Sequence, residues 1–545
     1  MRLHHTTYTV GLLAAALVCT AKNALPVDKV YGVNLGSWLL TEPWMLPTEW
    51  KAMGGEICNN CSTCIMSEFA LTQKLGQKQA DEVFAQHWST WLTRDDVDAI
   101  ADAGLNTVRI PLGYWIIEPL VDRSTEFYPR GGLPYLKQAL RMFKAKGIHV
   151  ILDFHALPGV ASANQMFAGR CTYDVQFYTE KNYIRALAWA GVMTALSHLD
   201  PDFASVFSIE AINEPEMDYK KTPSLGEYEK NFVKIVRLTE LALGVSCPDT
   251  DYTKLFSNTA SFSPNHLTGG IAQVAELADG IVGQVLSDFV LPAVEFAAKQ
   301  LGLSTEHVKR AVGRLPESEA HTKDHDAPTC SGSGCLGAKL SQPLSDTANV
   351  AGEKLVPHGY SLERHVSGRR AHRKRGISAK LGPGCNNQCL STNFMNKDWQ
   401  YNNPANPADA AIGPQTYDAH LYFSFGGVAD PNYESYMRVI CNTDRVAKAT
   451  AEGNTPMCFG EWSLASNFNI TNEQMRDWAD AQKWVYAGQA AGWIFWNFKV
   501  EKDTPYTPAW DYFASLDAGY LTKDPSKLYN PDICKPWIAN ATYVS

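Results

Sequence analysis

The chain has 545 residues, of which 45% are hydrophobic and 11% aromatic. This length and composition allow one large domain or two to three ordinary ones, and they exclude a globally disordered protein. A formal net charge of −9 argues against a nucleic-acid partner.

Residues 1–24 are expected to be a signal peptide. Arg2 precedes an apolar run at 10–18, and the small residues Ala21 and Ala24 are options for cleavage. That run is too short to span a bilayer, no later run of uninterrupted apolar residues is long enough, and the C-terminus lacks the apolar tail of a glycolipid-anchor signal. We therefore expect a secreted protein, extracellular or in a cell wall, with no membrane partner.

Twelve cysteines remain once the signal peptide is removed. An even number in an exported protein favours disulfides, with a pairing that the sequence leaves open. The CxxCxxC run at 58–64 also has the spacing of a metal cluster, but no nearby histidine completes it, so we expect no metal and no cofactor. Sequons at Asn60, Asn469 and Asn540 are typical of a glycoprotein.

Eight short apolar runs recur along the chain, and helical patterns separate most of them. The pattern at 93–104 has an acidic first turn and ends on Gly104, and the pattern at 135–147 ends on Gly147. Apolar strands that alternate with helices predict a parallel sheet, and eight such units predict a single α/β domain from 25 to 545, a (β/α)8 TIM barrel. The expected strands lie within 29–40, 106–115, 148–159, 203–215, 389–399, 415–427, 457–466 and 492–499.

One connection is much longer than the others. About 170 residues separate the fourth and fifth expected strands, where a barrel unit needs roughly 30. A helix is predicted at 225–245 and two more patterns at 270–315, whereas 316–384 is polar and low in aromatic residues. We interpret about 270–388 as a partly disordered insertion, with a solvated basic run at 369–375 for which proteolytic processing is the alternative.

Polar and aromatic side chains recur where the predicted strands end. TIM-barrel active sites lie at the carboxyl ends of the strands. These residues therefore predict one site at the barrel mouth: Arg109, His155, Asn213, Glu214, His420, Tyr422, Glu461 and Trp496.

The stretch at 208–219 contains three carboxylates, Glu210, Glu214 and Glu216. Side chains alternate in direction along a strand, so if Glu214 reaches the mouth, Glu210 points into the barrel below it. We expect Glu210 to be a buried structural carboxylate that faces Arg109. Glu216 follows Pro215 and is interpreted as a solvated loop residue.

Glu214 gains a partner in Glu461, which ends another apolar strand. Two carboxylates that flank a glycosidic bond are what its hydrolysis requires, and a pair about 5–5.5 Å apart gives retention through a covalent intermediate. Arg109 and Tyr422 are placed to support Glu461 by charge and hydrogen bonding. Asn213 is placed to contact the 2-hydroxyl of a sugar.

With these residues the chain resembles glycoside hydrolase family 5, and within it the secreted fungal exo-β-1,3-glucanases. The resemblance covers roughly 28–270 and 389–530 and rests on the segments NLGSWLLTEPW, VRIP, DFHALPG, INEPE, HLYFSF, FGEWS and GWIFWNFK. It implies a retaining mechanism with Glu214 as acid/base and Glu461 as nucleophile. The remaining implied site residues are Arg109, His155, Asn213, His420 and Tyr422 in support, with Glu42 and Trp496 binding substrate, Glu42 at the terminal glucose.

Three features depart from the family pattern. Ser37 replaces a usual glycine, the loop after His155 differs, and the long insertion is extra. Since loops at this face select the substrate, the leading hypothesis of exo cleavage of β-1,3-glucan by a monomer has alternatives. These are a β-1,6-glucanase, another β-glucosidase or transglycosylase on the same barrel, and a non-catalytic glycan-binding wall protein.

Overall fold

Eight parallel strands form a closed barrel in a computed structural model that describes residues 24–255, 275, 278, 280–302 and 388–538. The predicted (β/α)8 barrel is confirmed, and each expected segment contains one strand. The strands are β1 (Val30–Asn34), β2 (Thr107–Gly113), β3 (His149–Ala156), β4 (Val206–Glu210), β5 (Ser391–Met395), β6 (Gln415–His420), β7 (Met457–Glu461) and β8 (Gly492–Phe495).

α-Helices surround the barrel and connect its strands, except that β5 and β6 are joined through two 3-10 turns, Lys397–Trp399 and Pro407–Ala410. The α-helices are α1 (Pro47–Ala52), α2 (Glu68–Leu75), α3 (Gln77–Trp91), α4 (Arg94–Asp102), α5 (Gly132–Lys146), α6 (Glu180–Leu199), α7 (Leu225–Ala242), α8 (Gly280–Val285), α9 (Leu291–Gln300), α10 (Tyr433–Cys441), α11 (Arg445–Ala451), α12 (Asn472–Gly488) and α13 (Tyr512–Asp517). A π-helical turn, Leu286–Val290, joins α8 to α9.

A local sequence signal starts helix α4, and strand pairing closes the barrel. Thr93 and Asp96 form a reciprocal capping box at the start of α4, which satisfies two backbone N–H groups that a helix start leaves unpaired. The barrel closes because Val33 of β1 pairs with Val108 of β2 on one side and with Phe495 of β8 on the other. Closure leaves the described sheet without an edge strand.

The connection between β4 and β5 spans 211–390. The helix expected at 225–245 is α7, and the patterns expected at 270–315 are represented by α8 and α9. The polar stretch at 316–384, its basic run and residues 1–23 of the expected signal peptide at 1–24 lie outside the described residues.

The segment Gly280–Ala297 is the one described helix with the length and the mean hydropathy, 1.4, of a membrane span. Half of it is buried. Val290 packs so closely on Gly191 of α6 that an added Cβ there would lie 2.6 Å from it. Packing on the barrel accounts for the apolar composition of this segment.

A buried ion pair fixes the chain where it re-enters the barrel. The Arg237 guanidinium on α7 pairs with Glu240 and donates to the carbonyl oxygens of Leu390, Ile412 and Pro414. Glu240 in turn accepts from the Leu390 N–H at 2.7 Å. These contacts position the entries of β5 and β6.

Four disulfides join eight of the nine described cysteines: Cys58–Cys64, Cys61–Cys171, Cys247–Cys389 and Cys441–Cys534. The CxxCxxC cysteines are therefore in disulfides. Cys61–Cys171 ties the loop after β1 to the loop after β3, and Cys247–Cys389 joins the end of the α7 segment to the start of β5. Cys458 is free in the part of the chain that the structure describes.

Replacing Arg237 with methionine should lower the free energy of unfolding by about 3–5 kcal/mol, because Glu240 then remains buried without its cation. Urea denaturation measures the change. Lys448→Met, which removes one partner of the exposed Lys448–Asp444 pair, is the control and should change stability little. Equal unfolding midpoints for the two variants would contradict the assignment.

Candidate active site

A cleft of about 830 Å³ opens at the carboxyl ends of the strands. Its lining includes eight of the nine residues that the sequence predicted for the site: Glu42, His155, Asn213, Glu214, His420, Tyr422, Glu461 and Trp496. Arg109, the ninth, lies beneath the cleft floor. It is the third residue of β2 rather than the last, so the expectation that it ends its strand was wrong.

Arg109 is fully buried and organises the floor of the cleft. Its guanidinium binds both oxygens of Glu210, at 2.8 and 3.0 Å, and donates to Glu461 Oε1 at 2.8 Å. It also donates to Asn213 Oδ1 at 2.8 Å and lies 3.0 Å from Asp153. The buried, Arg109-facing position expected for Glu210 is confirmed, and five N–H donors on one rigid plane explain how one side chain serves so many partners.

Glu461, the last residue of β7, accepts a hydrogen bond at each oxygen. Arg109 donates to Oε1, and the Tyr422 hydroxyl donates to Oε2 at 2.9 Å. Burial raises the pKa of Glu461 to about 8, and the cations His420 and Arg109 act in the opposite direction. Its side chain is 6% exposed.

Glu214 lies on the loop beyond β4, which ends at Glu210. Its backbone has a φ of +39°, which is rare for a residue other than glycine. The alternation of a strand therefore does not extend to Glu214, and the reasoning that relied on it was wrong at this residue. A carboxylate oxygen of Glu214 lies within 4.8 Å of one of Glu461, and Glu214 is the more exposed of the two at 17%.

His155 and Asn213 form a hydrogen-bonded chain on the floor. His155 Nδ1 lies 2.6 Å from Asp153, and its Nε2 lies 3.3 Å from the amide nitrogen of Asn213. Burial and the charge of Arg109 hold the pKa of His155 well below its usual range, so the ring is neutral, with Nδ1–H donating to Asp153. Since the Asn213 amide carries two N–H groups, one remains for a substrate hydroxyl.

His420 is cationic and lies between carboxylates. Its Nδ1 is 2.7 Å from Glu214 and 3.5 Å from Glu461, and its Nε2 is 3.6 Å from Asp418. Burial disfavours the cation, but the charges of Glu461 and Asp418 outweigh it and hold the pKa of His420 well above its usual range.

Asp418 also contacts the backbone next to Glu461. Its Oδ1 accepts from the Gly460 N–H at 2.7 Å, and a Cβ at Gly460 would lie 2.1 Å from its carboxylate. Position 460 therefore requires glycine, because the carboxylate occupies the space of a side chain. Asp418 links β6 to β7 immediately before Glu461.

Asp153 and Asp418 were not among the predicted site residues. Each lies two positions before a predicted histidine, in Asp153-Phe154-His155 and Asp418-Ala419-His420. Because residues two apart share a strand face, this repeated D-x-H spacing was the signal that could have found them.

Glu42 and Trp496 lie on the β1 and β8 side of the cleft. The Trp44 indole donates to Glu42 Oε2 at 2.9 Å, and burial raises the pKa of Glu42 to about 7. Trp496 stacks on His155 with ring centroids 5.6 Å apart. An aromatic cluster continues this side: Trp44, Tyr422, Phe425, Tyr506 and Trp510.

The interpretation of Glu216 as a solvated loop residue was wrong. Glu216 is half-buried, its Oε1 accepts from the Ala163 N–H at 2.9 Å, and its own N–H donates to the Tyr178 hydroxyl at 2.9 Å. It joins the loop after β4 to the loop after β3.

Three groups of described residues place metal-ligand atoms close together. One contains Cys247 and Cys389, which form a disulfide. The other two contain His420, whose cationic ring repels a metal ion.

Comparisons with known proteins agree with this geometry. Residues 49–270 match the cellulase family, glycosyl hydrolase family 5. The chain is 26% identical over 529 residues to glucan endo-1,6-beta-glucosidase B of Emericella nidulans, covering 94% of this chain and 90% of that protein.

Two further relatives match over shorter stretches. The chain is 36% identical over 218 residues to probable glucan endo-1,6-beta-glucosidase B of Aspergillus fumigatus, or 40% of this chain and 53% of the relative. It is 36% identical over 224 residues to probable glucan 1,3-beta-glucosidase A of Aspergillus niger, or 38% and 49%. In both, the match spans about half of the relative.

Among solved structures, rutinosidase from Aspergillus niger superposes with a TM-score of 0.50 at 17% identity. The superposition covers 91% of this chain and 99% of that one. It shows a shared fold.

Replacing Asp418 with asparagine should lower the pKa of His420, since the Asp418 charge is one of those that hold it up. Nitrogen NMR titration of protein with isotopically labelled histidine measures this pKa. Asp444→Asn, on an exposed helix start, is the control. If the pKa of His420 stays the same in both variants, Asp418 does not stabilise the protonated His420 ring.

Proposed function

We propose that this chain, a glycoside hydrolase of family 5, is a secreted retaining β-glucanase that cleaves β-1,6 linkages within its substrate. The observation that carries hydrolysis is the close carboxylate pair, Glu214 and Glu461, with oxygens within 4.8 Å of each other in the cleft. A close pair supports retention, whereas inversion needs a separation that leaves room for a water molecule.

In this mechanism Glu461 attacks the anomeric carbon while Glu214 protonates the departing glycosidic oxygen. A covalent glycosyl intermediate forms on Glu461, and the leaving sugar departs with the proton of Glu214. Glu214 then takes a proton from water as the water attacks the anomeric carbon and releases Glu461. The floor residues bind and orient the sugar and the two carboxylates.

The charge balance supports this division of roles. Two cations, Arg109 and His420, face a larger number of carboxyl groups, so the cluster retains a proton near neutral pH. Both oxygens of Glu461 already accept hydrogen bonds, and the charges of His420 and Arg109 oppose the effect of burial on its pKa. Both effects favour the carboxylate form that a nucleophile needs.

The relatives support β-1,6 linkage over the β-1,3 linkage expected from the sequence. The relative from Emericella nidulans, which matches nearly the full length of this chain, is named a glucan endo-1,6-beta-glucosidase. A β-1,3-specific exo enzyme is the second candidate, favoured by the similarity to a glucan 1,3-beta-glucosidase. The four disulfides support export, where such a polymer would be met.

Linkage is tested by incubating the protein with β-1,6-, β-1,3- and β-1,4-glucans and sizing the products. We expect oligomers from the β-1,6-glucan early in the reaction. Glucose as the sole product of a β-1,3-glucan, with the β-1,6-glucan untouched, would favour the second candidate.

The roles of the two glutamates are separable by azide rescue on an activated aryl glucoside. We expect Glu214→Ala to lower turnover of glucan by about 100-fold or more and azide to yield a β-glucosyl azide by attack on the covalent intermediate. With Glu461→Ala, azide should attack the substrate directly and yield the α-anomer. The opposite pairing of variant and anomer would reverse the two roles.

Tyr422→Phe should move the acidic limb of the pH–activity profile upward. The Tyr422 hydroxyl donates to ionised Glu461, so its loss raises the pKa of Glu461 and the nucleophile is protonated at a higher pH. A hydrogen bond to a charged group is worth about 1.5–3 kcal/mol, so the limb should shift by about one pH unit or more. The profile of kcat/KM against pH measures it, and an unmoved acidic limb would contradict the assignment.

A further inference from the structure

Two exposed apolar side chains follow β4 and β5, which lie across the barrel from β8 and β1, the strands that precede Trp44 and Trp510 of the aromatic cluster. Met217 is 51% exposed and Tyr401 is 58% exposed, and both line the cleft that contains Glu214 and Glu461. Large apolar side chains exposed at a polar cleft are typical of a ligand surface. Neither is among the residues that the catalytic mechanism uses.

The backbone holds these two residues together. The Tyr401 N–H donates to the Met217 carbonyl at 2.9 Å, and the Tyr219 N–H donates to the Tyr401 carbonyl at 3.2 Å. The loop after β4, which carries Met217, is thereby joined to the loop after β5, which carries Tyr401.

Side chains reinforce the same junction. The Trp399 indole donates to the Pro215 carbonyl at 2.7 Å, and the Gln400 amide donates to the Glu216 carbonyl at 2.5 Å. Asn402 donates to Asp218 at 2.6 Å. The two exposed side chains are therefore presented on a preorganised support, which reduces the entropy lost when a ligand is bound.

The position of this surface relative to the carboxylates indicates what it binds. The loop that carries Glu214 continues directly through Pro215 into Met217, and Trp399 contacts His420, with ring centroids 5.8 Å apart. On the other side, Tyr422 of the aromatic cluster bonds to Glu461. The surface thus adjoins the proton donor, on the side where the leaving sugar departs.

We propose that Met217 and Tyr401 form a binding position for glucose units on the leaving side of the scissile bond. Apolar sugar faces pack on the thioether and the phenol ring, so a chain that extends beyond the cleaved bond is held. This inference rests on the proposed hydrolase function and deepens it, because a leaving-side position lets the enzyme cut inside a chain.

The test compares a substrate that reaches this surface with one that does not. β-Glucosyl fluoride has a single-atom leaving group, whereas a glucan hexasaccharide extends past the cleavage point. In Met217→Ala and Tyr401→Ala we expect kcat/KM on the hexasaccharide to fall by about three- to ten-fold each. Hydrolysis of the fluoride should stay at the wild-type rate.

Folding does not confound the comparison, since alanine retains the backbone hydrogen bonds of both residues. Tyr173→Ala is the control, because Tyr173 is 67% exposed and does not line the cleft. An unchanged kcat/KM on the hexasaccharide, or an equal fall in kcat/KM on both substrates, would overturn the leaving-side position.

Failure of the proposed function is distinguishable from failure of this inference. The hexasaccharide used in the test is β-1,6- or β-1,3-linked, whichever of the two the wild-type protein hydrolyses. The test therefore remains valid if the proposed β-1,6 linkage is wrong. A wild-type protein that cleaves neither the fluoride nor any glucan overturns the hydrolase function and the inference with it.

Discussion

The site depends on one buried guanidinium. Arg109 binds Glu210 through both oxygens, and it contacts Glu461, Asp153 and Asn213 from the same plane. A fully buried cation is costly unless it is paired, and here its partners come from β3, β4 and β7 and the loop after β4. The position of Glu461 is therefore fixed from below the cleft, by a buried charge.

Much of this arrangement could be predicted from the sequence, because eight apolar strands that alternate with helices form a barrel whose strands all end at the same mouth. Glu461 and His420 are the last residues of their strands, as expected. Arg109 could not be placed, since no local signal says how deep in a strand a polar residue lies. Glu216 was misjudged because its partners, Ala163 and Tyr178, belong to a distant loop, and contacts between loops leave no periodic pattern.

The floor and the rims of the cleft are built from different parts of the chain. The strands and their first following residues hold the carboxylates and histidines of the floor, whereas the rims are built by loops that are joined to one another. One rim carries Trp44 and Trp510, and the other carries Met217 and Tyr401. Changes in the rims are expected to alter which ligand the cleft binds without changing the carboxylate pair.

The Cys247–Cys389 disulfide would hold the barrel together if the chain were cut between these two cysteines. It joins the two ends of a stretch that spans 248–388, next to the Arg237–Glu240 pair that fixes the entry of β5. If a protease cuts the chain inside this stretch, its two fragments remain covalently linked through sulfur and separate only after reduction. A nicked molecule of this protein would keep its eight-stranded barrel as one covalent unit.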